Sequence, residues 1–354
     1  MPGNRARPLP ERDLEHVLEH TQGLWEELRG GRLFVTGGTG FFGRWMLESF
    51  LKANDELSLG AEAIVLTRDP RGFTDAAPII AGHAAINLQA GDVRSFDDPL
   101  PDCSHVLHMA TETALGESPA ASFQTAIEGT ERVLRFAARR GVRKLLLTSS
   151  GAVYGTQPPE CERLSEEYTG APRPEDVSAG YAHGKRAAEF LCSAAAAHTE
   201  LQAKIARCFA FVGPLLPLDA NYAVGNFIGD ALYRDRIEVT GDGTARRSYL
   251  YAADLAIWLW TILFRGESGR PYNVGSEADL SIADLALLVA RVLAPDIPVR
   301  IAEPPAAGEL PARYVPATMR AARELDLHRR VDLDDAVLRT AHWYSAGPTP
   351  RRRG

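Results

Sequence analysis

The sequence predicts an α/β fold, a doubly wound parallel sheet joined to a smaller α+β lobe, and three observations carry the prediction. Short apolar runs at residues 33–35, 63–67, 85–90, 105–109 and 144–148 alternate with stretches of helical periodicity, the pattern of a parallel sheet covered on both faces. The first run opens the stretch RLFVTGGTGFFG (32–43), in which Gly37, Gly40 and Gly43 recur every third residue before Met46, Leu47, Phe50 and Leu51 follow at helical spacing. The fifth run ends in Ser149 and Ser150, small hydroxyl residues at the carboxyl end of a central strand, where ligands bind in such sheets.

Strand, glycine turn and helix start in that order make a phosphate cradle. Glycines let the backbone turn tightly and approach a pyrophosphate, while the free amides and positive dipole of a helix N-terminus face the negative charge.

The remaining elements follow in chain order. Residues 1–30 precede the cradle: Pro8 and Pro10 read as an extended lead, and Leu14, Val17, Leu18, Leu24, Trp25 and Leu28 as an amphipathic helix interrupted at Gly23, packed across the sheet edge or against a partner. The second strand, AIVLT at 63–67, runs into Arg68 and Asp69. An acid at that strand end holds the ribose diol of NAD, whereas an arginine accommodates the 2′-phosphate of NADP. Arg68 leans toward NADP and Asp69 leaves NAD open. The third strand ends in Gly91, Asp92 and Val93, and the fourth in Met109 and Ala110. A long helix over 117–140 has Phe123, Ile127, Val133, Leu134 and Phe136 on its apolar side and Gly141 at its end.

After the fifth strand comes SSGAVYG (149–155), and then YAHGK (181–185) opens another helix. The spacing of four puts the phenol of Tyr181 and the ammonium of Lys185 one turn apart on one face. Free tyrosine and lysine titrate at about 10 and about 10.4, too high for a base at neutral pH. A fixed cation beside the phenol, with the positive ring of an oxidised nicotinamide, is expected to favour the phenolate and make Tyr181 a proton shuttle.

Composition narrows the class further. The 354 residues carry 39 basic against 46 acidic side chains, so no nucleic-acid partner held by charge is expected, and the basic run at 351–353 reads as a solvated end. Cys103, Cys161, Cys192 and Cys208 show no Cys-x-x-Cys pair and no matching His spacing, so neither a metal site nor a disulfide framework is expected. The longest apolar run, near 255–264, is too short to span a bilayer, and no signal peptide is recognised, so no membrane partner and a cytoplasmic location are expected.

Taken together, TGGTGFFG (36–43), SSGAVYG and YAHGK resemble the extended short-chain dehydrogenase/reductase family, in its NAD-dependent nucleotide-sugar epimerase/dehydratase branch. The likeness continues through KIARCFAFVGP (204–214), GNFIGDAL (225–232), GDGTARRSYLYAADL (241–255) and YNVG (272–275), in the family's order, and excludes residues 1–30. It implies a Rossmann-type domain over 31–212 plus about 252–274, a substrate lobe over about 213–251 and 276–345, and a tail over 346–354. Gly37, Thr39, Gly40, Phe41, Phe42, Gly43, Arg68, Asp92, Val93, Met109, Ala110, Tyr181 and Lys185 would line the cofactor, NAD or NADP. Ser150 would hydrogen-bond the reacting sugar oxygen, with Ser149 the lesser candidate. Tyr181 would be the acid/base, and Lys185 would hold the nicotinamide ribose. Asn226 and Arg247 would contact the diphosphate of a nucleotide-activated sugar, and Arg313 would make a further contact. Helices near 117–140 and 180–198 pair across a two-fold axis in this family, so a homodimer is expected.

Two departures from the family's pattern sort its reactions. Sugar 4,6-dehydratases and uronate decarboxylases usually carry an acid two places before the tyrosine of the strand-five motif, and this chain has Ala152 there, after Gly151. That form resembles the 4-epimerases, with a 4-keto-sugar reductase, a dehydratase or a decarboxylase as alternatives and a non-catalytic dinucleotide sensor as the remotest. The second departure is Ala210, where the family's R-x-x-N-x-x-G-P has asparagine. In the second lobe, the prolines over 297–311 predict loop, Ser281 predicts an N-cap for a helix over 282–293, and 332–343 predicts a final helix.

Overall fold

The computed structural model describes residues 6–97, 100–110, 118–304, 308 and 310–346. Its strands are β1 (Arg32–Thr36), β2 (Glu62–Thr67), β3 (Ile86–Ala90), β4 (His105–His108), β5 (Lys144–Ser150), β6 (Gln202–Cys208), β7 (Phe211–Val212), β8 (Ile237–Val239), β9 (Arg246–Ser248), β10 (Leu250–Tyr251), β11 (Pro271–Val274), β12 (Asp279–Ser281), β13 (Val299–Ile301) and β14 (Arg313–Tyr314). The helices are α1 (Glu11–His20), α2 (Phe41–Glu56), α3 (Pro70–Ala76), α4 (Pro78–Ala81), α5 (Pro119–Arg139), α6 (Gly180–His198), α7 (Ala223–Tyr233), α8 (Ala252–Arg265), α9 (Ile282–Leu293), α10 (Met319–Leu325) and α11 (Leu333–Ser345).

Seven of the strands form one parallel sheet in the order β11-β6-β5-β4-β1-β2-β3. Side chains alternate across it. Leu33 and Val35 pack on one face with Trp45, Met46 and Leu47 of α2 and the buried apolar residues of α8. Phe34, Val106 and Leu145 pack on the other with Val133 and Phe136 of α5 and Ala188 of α6. The order reverses between β4 and β1, so their carboxyl ends open the crevice in which ligands of such sheets bind. Helix α5 starts behind Ser118, whose hydroxyl caps the Ala121 amide at 3.2 Å, with Pro119 at its first position. The expected first residue, Glu117, lies outside the described residues, and Phe123, expected on the apolar side, is exposed.

The N-terminal segment is built into the core rather than appended to it. Leu14, Val17, Leu24, Trp25 and Leu28 are buried, and the Trp25 ring lies 4.6 Å from that of Trp260 on α8. Asp13, 1% exposed, accepts from Tyr251 Oη at 2.5 Å and Arg339 Nη1 at 2.7 Å. The Leu9 amide donates to Glu48 on α2 at 2.6 Å, and Trp343 Nε1 donates to the Pro8 carbonyl at 2.9 Å. The segment therefore joins α2 to α8 and α11. As expected, the chain breaks after α1: Gly23 takes a left-handed φ of 76° before a short 3-10 turn over Trp25–Leu28.

Outside the large sheet lie α7, α9 and three small sheets, β8 with β13, β12-β9-β14, and β7 with β10. Helix α9 covers the expected residues, with Ser281 Oγ accepting from the Asp284 amide at 3.0 Å. The expected loop over 297–311 needs correction. Val299–Ile301 form β13, which pairs in parallel with β8 because β-branched residues at alternate positions suit a pleated edge. No helix among the described residues is long and apolar enough to cross a membrane.

Candidate active site

The glycine turn has the geometry that a dinucleotide cradle requires. Gly37 takes a left-handed φ of 74°, and a Cβ there would lie 2.5 Å from the Met109 carbonyl carbon and 2.6 Å from the Ala110 amide. A Cβ on Gly43 would lie 2.3 Å from the Gly37 carbonyl oxygen, so the third glycine lets α2 pack onto the turn. Gly40 differs: a Cβ there would meet only the Gly37 oxygen at 3.6 Å, which leaves its outer side open at the N-terminus of a 16-residue helix. Thr39 and Gly40 are exposed, Phe41 and Phe42 half-buried, and Phe42 stands edge-on to Phe211 at 5.1 Å. These residues fit a bound pyrophosphate.

At the end of β2, Thr67 is buried and Arg68 exposed. Asp69 is the N-cap of α3, its carboxylate accepting from the Gly72 amide at 2.9 Å. Past β3, Asp92 holds Arg94 through two 2.9 Å hydrogen bonds, and Arg94 with the more distant Arg68 keeps its carboxyl below the usual range. Val93 is buried against Gly129 of α5. Under the turn, Thr36 Oγ1 bonds His108 Nδ1 at 2.8 Å and accepts from the Ala110 amide at 3.2 Å, while His108 Nε2 bonds Thr130 Oγ1 at 3.1 Å. Burial, with the nearby Lys185 cation, pushes His108 down to about 3.

The structure brings Ser150, Tyr181 and Lys185 together. Lys185, on α6 and 3% exposed, donates from Nζ to the Thr148 carbonyl at 2.6 Å, with Nζ 5.9 Å from the centre of the Tyr181 ring. Burial lowers it to about 8, against the pull of Cys208 and Glu189. Ser150, at the end of β5, is close enough to the phenol of Tyr181 to favour its charged form, and its own Oγ accepts from the Ala152 amide at 3.1 Å. The lowered phenol expected from the sequence rested on the Lys185 cation together with an oxidised nicotinamide, and the protein's own groups act without the latter. Burial pushes Tyr181 up to about 12, and Ser150 offsets only part of that. Lys185 is turned to the Thr148 carbonyl, so a lowered phenol would need the cofactor's charge as well.

Ser149 points the other way. Its hydroxyl donates to Glu189 at 2.5 Å, Glu189 pairs with Arg207 at 2.7 Å, and Arg207 donates to Tyr154 Oη at 2.9 Å. Tyr154 in turn donates to Asn273 at 2.8 Å. Ser149 is thus engaged in that chain, while Ser150 stands on the Tyr181 side.

The remaining expected contacts lie on elements outside the large sheet. Asn226 stands half-buried in the first turn of α7, behind Tyr222 at the cap position, so it is not itself a cap. Arg247 on β9 donates to the Arg246 carbonyl at 2.8 Å and stands 5.9 Å over the ring of Tyr314. Arg313 is turned elsewhere. Together with Arg246 it pairs with Asp279, and strand alternation puts it on the face of β14 opposite Tyr314. Tyr314, which sequence reasoning missed, stands near Ser150, and its ring packs on Phe209 at 4.7 Å. Its trace in the sequence is Gly151, where a Cβ would lie 2.6 Å from the Tyr314 oxygen.

Comparison with known proteins agrees with this geometry. The NAD dependent epimerase/dehydratase family matches residues 33–275. A UDP-glucuronic acid decarboxylase of Arabidopsis thaliana is 30% identical over 276 residues, 77% of this chain and 77% of its own length. Among solved structures, a dTDP-glucose 4,6-dehydratase of Streptomyces venezuelae with NAD bound superposes with a TM-score of 0.73 at 24% identity, covering 89% of this chain and 97% of its own. A UDP-N-acetylglucosamine 4-epimerase of Methanobrevibacter ruminantium superposes with a TM-score of 0.74 at 20% identity, covering 89% and 98%. With its seven-stranded Rossmann-type sheet, its glycine cradle and its Ser-Tyr-Lys set, the chain belongs to the NAD dependent epimerase/dehydratase family.

Proposed function

We propose that the protein is an NAD(P)-dependent 4-epimerase of a nucleotide-activated sugar, working through a transient 4-keto sugar. The observation that carries this reading is the composition of the reacting wall: Ser150 beside Tyr181, with Lys185 beneath the Tyr181 ring and Ala152 where an eliminating acid would stand. The bound nicotinamide would take a hydride from the sugar carbon and return it. Tyr181 accepts the proton of the 4-hydroxyl at its phenol oxygen and gives it back, Ser150 donates a hydrogen bond to the sugar oxygen as charge develops there, and Lys185 fixes a positive charge beneath them. Rotation of the keto sugar between the two hydride steps inverts the centre.

Arg247 and Asn226 are proposed to hold the diphosphate, with the second lobe closing over the sugar. For the cofactor, the capping role of Asp69 supports Arg68 as the group nearer the ribose and so favours NADP, while the family's NAD-bound members keep NAD open. Exposed Val177, Phe190 and Phe123 near and on α6 and α5 support pairing of two copies through those helices.

The test is the fate of bound cofactor. The purified protein should release NAD or NADP on denaturation and turn a nucleotide sugar into its isomer with no net change in cofactor absorbance. Tyr181→Phe should lose at least about 100-fold in turnover while retaining the dinucleotide, and near-normal turnover would overturn the assignment. A second reading, decarboxylation of a nucleotide uronate, is favoured by the decarboxylase relative. It predicts carbon dioxide and a nucleotide pentose as products. Stoichiometric oxidation of NADPH would instead indicate a 4-keto-sugar reductase.

A further inference from the structure

We propose that His16, Glu19 and His20 of α1 form a binding site for a divalent cation of the zinc class, braced by the buried carboxylate of Asp254. All three ligands precede residue 33, where the family match begins, and none belongs to the reaction proposed above. The cysteine spacing that argued against a metal site is silent on these histidines.

Helix α1 reads ERDLEHVLEH and turns Asp13, Leu14 and Val17 inward. His16 and His20 are four apart, with Glu19 three beyond the first, so the three fall on neighbouring positions of successive turns. The imidazole centres stand 4.4 Å apart, and the ligand atoms of His16, Glu19 and His20 lie within 4.8 Å of one another. Bonds of about 2.0–2.2 Å to a central ion need only that these side chains draw in. Both histidines are half-buried, whereas Glu19 is exposed and free to turn. The His20 ring is already set for the task. Its Nδ1 lies 2.9 Å from the His16 carbonyl, which can only accept, so in the neutral ring Nδ1 carries the proton and Nε2 keeps its lone pair.

A second, independent observation comes from α8. Asp254 is 0% exposed, and its Oδ2 accepts from the amides of Arg330 and Val331 at 2.9 and 3.0 Å. Its Oδ1 faces His16 Nε2 at 3.5 Å, and among the described residues His16 is the one ion-pair partner of this carboxylate. A buried carboxylate asks for positive charge nearby. A cation held by the His16 imidazole supplies it, and a carboxylate set against a ligating histidine orients the ring and strengthens it as a ligand. The ion would therefore fasten α1 to α8 and, through the Arg330 and Val331 amides, to the segment that leads into α11.

The donor set selects the kind of ion. Two imidazoles with one carboxylate suit zinc and its first-row neighbours, while magnesium and calcium prefer all-oxygen sites. Three protein ligands leave a fourth position for water.

The test uses the untagged full chain, stripped with a chelator and titrated with Zn2+ alone by calorimetry. We expect one ion per chain. His20→Gln and Glu19→Gln, both on the helix surface, should each weaken binding by at least the about 10–100-fold that loss of an outer partner costs, and Asp254→Asn should fall within that range. Zn2+ should also slow hydrogen exchange at the Arg330 and Val331 amides of the parent and leave that of His20→Gln unchanged. Absence of binding, or equal affinity in the parent and His20→Gln, overturns the proposal. If Asp254→Asn does not fold, the two surface variants and the exchange measurement still decide it.

Discussion

Two serines stand side by side at the end of β5, and they belong to different kinds of matter. Ser149 enters a chain of fully partnered groups that runs through Glu189, Arg207, Tyr154 and Asn273, whose amide donates onward to the Leu164 and Ala317 carbonyls at 2.8 and 3.0 Å. Ser150 stands beside the phenols of Tyr181 and Tyr314, and among the described residues none of the three is part of an ion pair. The first cluster welds α6, β5, β6 and β11 together with charges that have nowhere else to go. The second holds protons that can move. A rigid, ion-paired scaffold one residue away is what allows the hydroxyl cluster to stay loosely determined and still be well placed.

The strongest way to break this contrast is to remove the charge that anchors the scaffold. Glu189→Ala leaves Arg207, whose side chain is 14% exposed, without its counterion and deprives Ser149 of its acceptor. We expect a loss of about 3–5 kcal/mol in unfolding free energy, read by urea denaturation. Glu189→Leu combined with Arg207→Met should recover a large part of it, because two matched apolar side chains carry no desolvation penalty. A loss below about 1 kcal/mol in the single variant would show that the chain of polar groups is incidental to stability.

The next effect sharpens the contrast with pH. His108 is 3% exposed and lies between Thr36 and Thr130, close enough to Lys185 for the two charges to oppose each other. Its folded pKa of about 3 lies below the ordinary 6.5, so between those values the unfolded chain binds more protons than the folded one. Stability is therefore complete above pH 6.5 and is lost as pH falls toward 3, by about 1.4 kcal/mol per unit from this one group. His105, lowered to about 4 by burial, adds to the same slope over a narrower window. Denaturation at pH 7, 6 and 5 should show the decline, and His108→Gln should flatten it. A slope unchanged in that variant would place the acid sensitivity elsewhere.

How much of this was legible in the sequence depends on whether a residue's job is local. The glycine turn, the Tyr181-Lys185 pair and the cap at Ser281 each follow from neighbours within four positions, and the structure has them where the spacing put them. Ser150 could be preferred to Ser149 only by resemblance, because adjacent strand residues differ in face and nothing nearby says which face is which. Arg313 was singled out and Tyr314 missed for the same reason. A two-residue strand shows no periodicity, and its facing is set by pairing with Arg246 and Arg247 far earlier in the chain. The N-terminal segment announced a helix but not its partners, since Asp13 meets Tyr251 and Arg339 only once the whole fold has closed. Gly151 is the instructive case: it looked like part of a motif, and its reason is a phenol carried by β14.

The smallest expected effect is also the most direct comparison. Ser149→Ala removes one hydrogen bond from a carboxylate that keeps its three contacts to Arg207, so unfolding free energy should fall by only about 1–2 kcal/mol, with turnover of the folded protein near that of the parent. Ser150→Ala should do the reverse. Stability should change little, because no buried charge loses its counterion, while turnover falls by about 100-fold through loss of the hydroxyl that meets both the sugar oxygen and Tyr181. The pair controls for size, strand position and burial, since the two serines are 3% and 8% exposed at consecutive positions. If both variants lost stability and activity alike, the boundary between scaffold and site would not run between residues 149 and 150. If they separate as described, it runs through a single peptide bond, and the alternation of a β-strand draws it.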